Sequence, residues 1–114
     1  MEKVSFFGKT LNIGEKKVVF DMEIEKIQSI NEKIFVLLKI PARKKMSYND
    51  LHNIYCYSAD GEMIWQIGKR SKGDDVVYTM ITIDNSDLYA NDFLDRQFLI
   101  NKNTGEIINM RVVR

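Results

Sequence analysis

Few side chains in this sequence could do chemistry, and their spacing gives them little to work with. His52 is the only histidine and Cys56 the only cysteine. A zinc site or a general base recruits more partners than one imidazole, and no Cys-x-x-Cys or His-x-x-x-His spacing exists. His52 therefore reads as a polar residue of a loop. Cys56 lies between Tyr55 and Tyr57 with no neighbour in sequence that would lower its pKa, so it reads as a small packing residue. Phosphate-binding glycine loops are absent: Gly68-Lys69-Arg70-Ser71 resembles one only superficially. The carboxylates Asp84, Asp87, Asp92 and Asp95 lack the alternating order of a calcium loop and have the character of turn formers. No metal, cofactor or catalytic group is expected, and the chain reads as a non-enzyme.

Charge leaves two surfaces for recognition. One is acidic, made of those four aspartates. The other is basic, with Arg43, Lys44 and Lys45 in one loop, Lys69, Arg70 and Lys72 in another, and Tyr48 and Trp65 near them for stacking. Seventeen basic against sixteen acidic side chains leave a net charge of +1. That is too even for the counterion-driven affinity of a general nucleic-acid binder, so nucleic acid is the second choice of partner. A single cysteine permits no intrachain disulfide, and no segment approaches the length of about 20 apolar residues that spans a bilayer. The expectation is a cytoplasmic protein without membrane contact.

The elements that must hold these residues are strands. In 17–24, Val18, Phe20, Met22 and Ile24 alternate with Val19, Asp21 and Glu23, the period of a half-buried strand. Ile34 to Ile40 is apolar on both faces, which predicts a central strand covered on each side. Further strands are read at 54–57, 63–67, 76–83, 88–90, 97–100 and 107–113. Turns fall at Asp60-Gly61, 84–87 and Asn103-Thr104-Gly105. Ile24, Ile27, Ile30 and Ile34 recur at the spacing of a helix, leaving 23–33 open between helix and strand; analogy with 79–87 favours strand. Pro41 opens a polar loop that runs to Asn53.

That analogy rests on an internal repeat. Residues 27–36 followed by Asn53 to Trp65 correspond to 81–90 followed by Gln97 to Ile108, with Gly61-Glu62 and Gly105-Glu106 marking the register. The units, about 18–67 and 76–113, differ mainly by the insertion between Pro41 and Asn53. Asn85, Leu88-Tyr89-Ala90, Leu99-Ile100-Asn101 and Thr104-Gly105-Glu106-Ile107 together resemble a blade of propellers built from pyrroloquinoline-quinone-type repeats. Asn53 to Ile67 is similar to half of a second blade. Two blades cannot close a ring, so the resemblance implies hairpins that bury their faces on each other. One all-β domain is expected, two antiparallel sheets forming a sandwich or half-open barrel. Phe20, Ile34, Val36, Leu38, Ile54, Trp65, Ile81, Ile83, Leu88 and Phe98 should form its core.

In size, texture and the Tyr-x-Tyr, Asp-Gly, Trp-Gln-Ile hairpin of 55–67, the chain also resembles bacterial immunity proteins against contact-dependent and other polymorphic toxins. This implies a partner, a cognate toxin of which a nuclease is one class, neutralised by occlusion, which needs shape and charge complementarity and no reactive group. The partner-binding residues then expected are Asp84, Asp87, Asp92 and Asp95 in the acidic turns, with Tyr48 and His52 in the inserted loop.

Overall fold

The computed structural model describes residues 3–41, 48–68 and 77–112, and over these the chain is almost wholly antiparallel β. Three meandering sheets follow one another along the sequence. The first holds β1 (Val4–Phe7), β2 (Thr10–Ile13) and β3 (Lys16–Val19). The second holds β4 (Ile24–Ile30), β5 (Lys33–Leu38), β6 (Ile54–Ser58) and β7 (Met63–Gln66). The third holds β8 (Tyr78–Asp84), β9 (Asp87–Asp92), β10 (Arg96–Ile100) and β11 (Ile107–Val112). One helical turn, α1 (Tyr48–Leu51), lies in the inserted loop.

The all-β sandwich-like class expected from the sequence stands, but the layers number three where two were expected. Strands β1 and β2 were not expected, although Thr10-Leu11-Asn12-Ile13 alternates polar with apolar as its burial does. The last strand of the first sheet is the start of the segment read as one strand over 17–24. In the structure β3 stops at Val19, the chain bends at Asp21-Met22, and β4 begins at Ile24. Phe20 N–H donates to Lys9 O at 2.9 Å and Ile24 N–H to Gly8 O at 2.8 Å, so the crossing is tied to the β1–β2 turn. Val18, Phe20, Met22 and Ile24 all face the same core cluster. Their alternation reports burial, and it runs straight through the bend.

Residues 24–30 are a strand, and the helix-like isoleucine spacing has a mechanical cause. The β4–β5 register shifts between Ile24 and Lys26, a bulge that puts Ile24 and Ile27 on one face. Ile30 falls on the opposite face, against the other core. β5 is the central strand its two apolar faces predicted. Ile34, Val36 and Leu38 meet Leu11 and Ile13 of the first sheet, while Phe35 and Leu37 meet Ile81, Leu88, Phe98 and Ile100 of the third. Of the ten expected core residues, Phe20 and Ile83 are partly buried and the other eight are buried.

The two four-stranded sheets are copies of one plan. Each opens with a tight hairpin whose two central residues have positive φ, Asn31-Glu32 (50° and 63°) and Asn85-Ser86 (50° and 68°). Positive φ at both is the type I′ geometry that suits the twist of paired strands. Aligning these turns matches Phe35 with Tyr89, Leu37 with Asn91, Ile54 with Gln97 and Trp65 with Asn109. The first member of each pair is buried against a neighbouring sheet, or, for Trp65, seals its edge. The second lies on the outer face of the last sheet, where three of the four have become amides and none is fully buried. Such polar replacement suits a sheet face that meets water and not another sheet.

Sheets approach most closely at their first strands. Backbones of β1 and β4, and of β4 and β8, come within 8 Å. Towards the last strands larger side chains fill the widening gap. Trp65 on β7 lies on Gly105 of the third sheet, and its Nε1–H donates to Lys102 O at 2.8 Å. Gly105 has φ +78°, and a Cβ there would sit 2.6 Å from the indole. Glycine is required twice over, by conformation and by contact.

Candidate partner-binding end of the sheets

Antiparallel meanders put alternate turns at opposite ends, and this sorts the described candidate residues. One end carries the crossing at 20–23, residues 39–41 and 48–53 after β5 and before β6, residues 67–68 after β7, and the β9–β10 turn at 93–95. The opposite end carries the tight hairpins, including 84–87. Asp84 and Asp87 face each other across that hairpin, exposed, and the Lys102 ammonium donates to the carbonyl of Ser86 between them. Asp92 and Asp95 lie at the far end of β9. The four aspartates expected to form one acidic surface are therefore two pairs, separated by a six-residue strand that spans roughly 17 Å.

Two expected contact residues are also buried. Asp92 is 1% exposed and His52 2%. Asp92 Oδ1 accepts the N–H groups of Leu94 at 2.9 Å and Arg96 at 3.0 Å, and Oδ2 accepts Arg96 Nε–H at 2.8 Å. This carboxylate organises its own turn and has no face to offer a partner. His52 is not the surface residue its loop position implied; it follows α1, and its carbonyl accepts Gln66 Nε2–H at 3.0 Å. Tyr48 opens α1, but its side chain lies outside the described residues, as do the basic loops at 43–45 and 69–72.

The floor of this end is a buried polar seam. Asn53 is fully buried; its Nδ2 donates to Leu38 O at 2.8 Å and Tyr78 O at 2.9 Å, and its Oδ1 accepts Tyr78 N–H at 3.0 Å. One side chain thus fastens the last residue of β5 to the first of β8, and so anchors the bases of the inserted loop and of the connection after β7. Gln66 Nε2 also donates to the Tyr55 hydroxyl at 3.1 Å, and Phe20 packs on Tyr55 and Tyr57 with ring centroids 5.3 and 5.8 Å away. Burial raises the Tyr55 pKa, and the neighbouring Tyr57, Asp21 and Asp50 push in the same direction. Burial likewise pushes the Cys56 thiol up to about 12, against a small opposing pull from Lys33. At neutral pH the thiol is protonated and inert.

Above this floor stands a feature the sequence reading passed over. The β9–β10 turn exposes two large apolar side chains, Phe93 at 69% and Leu94 at 57%, followed by exposed Asp95 at φ 61°. Their backbone is tied by hydrogen bonds: Asp92 holds the N–H groups of Leu94 and Arg96, Asp95 N–H donates to Asp92 O at 3.1 Å, and Phe93 N–H donates to Val77 O at 3.0 Å. The available signal was the string Asp92-Phe93-Leu94-Asp95, in which an apolar pair sits inside a turn flanked by carboxylates. Reading only the acids hid the apolar pair. Among the described residues, no cluster of histidine, cysteine or carboxylate side chains could hold a metal ion, and no helix is long and apolar enough to cross a membrane.

Neither the curated proteins nor the solved structures contain a match to this chain. One family does match, described as "Domain of unknown function (DUF7957)", over residues 1–112, and by that extent the chain belongs to it.

Proposed function

We propose that this protein is a non-catalytic binding module that engages a protein partner through the end carrying the Phe93-Leu94 turn. The observation that carries the reading is a pair of large apolar side chains held in water on a turn locked by a buried carboxylate. Hot spots of protein interfaces are rigid, apolar or aromatic anchors of this kind, and pre-organisation removes the entropic cost of ordering them. Asp95 beside them would favour a cationic rim on the partner. Asp92 is engaged in its own turn, and Cys56, in the middle of β6, is a buried, protonated thiol. That is in keeping with inhibition by occlusion. Within this reading the partner is a bacterial toxin, a nuclease being one class with a cationic cleft, and the protein acts as its immunity protein in the cytoplasm.

The test pairs both ends of the molecule. Phe93→Ala with Leu94→Ala should weaken binding to a catalytically inactive form of the toxin encoded beside the gene by at least about a hundredfold, as two hot-spot truncations would. Protection of growth on co-expression should be lost while the melting temperature stays put. Asp84→Lys with Asp87→Lys, at the opposite end, should protect fully. Protection by the first variant and failure of the second would reverse the assignment of the surface. A gene neighbourhood without any toxin would remove the immunity reading.

A further inference from the structure

Among the described residues the first sheet has three strands where the second and third have four. β7 leads from the outer edge of the second sheet to β8, the first strand of the third; β3 leads in the same way to β4. The β1–β2 turn lies at the crossing end, tied there by Ile24 N–H to Gly8 O, as the β5–β6 connection does in the second sheet. β3, β2 and β1 therefore occupy the fourth, third and second positions of the common plan. The first position, alongside β1, is vacant among the described residues.

The edge facing this vacancy is equipped for pairing. Gly14 N–H donates to Lys3 O at 2.9 Å, so Lys3, Ser5 and Phe7 direct their backbone groups towards β2. By alternation, Val4 and Phe6 direct theirs outwards. β1 is Val-Ser-Phe-Phe, without a charge to deter another strand, whereas the other edge of the sheet carries Lys16 and Lys17. Ser5, Phe6 and Phe7 are all exposed, Phe7 at 86%.

We propose that a second copy of this chain fills the vacancy, its β1 pairing antiparallel with the first about a two-fold axis through Ser5. Self-pairing gives the antiparallel direction that the plan requires of a first strand. The register centred on Ser5 engages the outward groups of both residues in each copy, Val4 with Phe6 and Phe6 with Val4, whereas one centred on Val4 or Phe6 pairs that residue with itself. In the Ser5 register the side chains are complementary on both faces. On the inner face, Val4 and Phe6 pair as two apolar contacts. On the outer face, Lys3 lies opposite Phe7 of the copy, a cation over an aromatic ring, and the two small Ser5 side chains meet at the axis. The pairing is small beside the roughly 1,200–2,000 Å² of stable complexes, so the dimer forms and dissociates with concentration. This inference is independent of the partner proposed above, because β1 is not part of the turn that carries it.

Ser5→Cys is the decisive variant. Opposed residues of a non-hydrogen-bonded pair stand about 4.5 Å apart at Cα, within disulfide reach, and Cys56 is fully buried and does not compete. Mild oxidation should convert the variant to a disulfide-linked dimer. Asn12→Cys, on the same face but on the central strand, should stay monomeric. In sedimentation, Ser5→Lys and Ser5→Glu should each be monomeric at millimolar concentration, and their mixture should associate more tightly than the parent protein. A Ser5→Cys protein that resists cross-linking, or a Ser5→Lys protein that sediments like the parent, would overturn the proposal.

Discussion

Asp92 stands where the second sheet has Leu38, and the exchange shows what one side chain decides. After Leu38 the chain leaves the sheet for a long insertion; after Asp92 it returns within three residues, because the carboxylate supplies acceptors for two N–H groups that the tight turn would otherwise leave unpaired. Removing it strands those donors and the Arg96 guanidinium together. Asp92→Ala should therefore lower stability by about 3 kcal/mol, while Asp95→Lys should change it by under about 0.5 kcal/mol, both measured by urea unfolding. Equal effects at the two positions would mean that the carboxylate is not what holds the turn. The sequence marked both as turn-forming acids; nothing local distinguished the buried one. Asp92 ends a strand paired with Tyr78 of β8, and its carboxylate meets Arg96 four residues on; Asp95 lies beyond the strand, exposed.

At the scale of elements, sequence reading succeeded where a strand is long and its turns are conformationally strict. β5, with two apolar faces, was placed between two layers, and the hairpins at Gly61 and Gly105 were placed by residues free to take positive φ. It failed where pattern and element part company. The alternation of 18–24 crosses a bend, a bulge gave β4 a helical spacing, and β1, Val-Ser-Phe-Phe, carries no alternation to mark it. The third sheet adds a contact no pattern encodes, Trp65 against Gly105. Trp65→Ala should cost about 3–5 kcal/mol through the cavity it leaves. Gly105→Ala, a change of one methyl, should cost about 1–3 kcal/mol by forcing the indole aside from a strained backbone. Thermal melting with tryptophan fluorescence checks both; an unchanged melting temperature in Gly105→Ala would show that the indole has room to move.

For the whole molecule the middle sheet is decisive, because among the described residues it alone is covered on both faces. β5 contributes Ile34, Phe35, Val36, Leu37 and Leu38 to the two cores together, and no single outer sheet can detach without baring it. Amide exchange in β5 should accordingly be the slowest in the chain and should follow global unfolding, while β1 and β11 exchange by local opening. Faster exchange in β5 than in β9 would mean that the third sheet, not the second, is the stable centre.

Among the described residues every strand pairs only with a strand next to it in sequence. A chain so connected can assemble in the order in which it is synthesised, each hairpin closing before the following one emerges. The first meander is complete at residue 19, and its bare apolar face, Leu11 and Ile13, waits for β4 and β5. The second is complete at Gln66 and presents Phe35, Leu37 and Ile54 to a third not yet made. Each intermediate thus exposes one sticky surface, and the next segment off the ribosome is the one that fits it. The third sheet differs in presenting the amides Asn91, Gln97 and Asn109 on its outer face, at positions where the second sheet presents Leu37, Ile54 and Trp65.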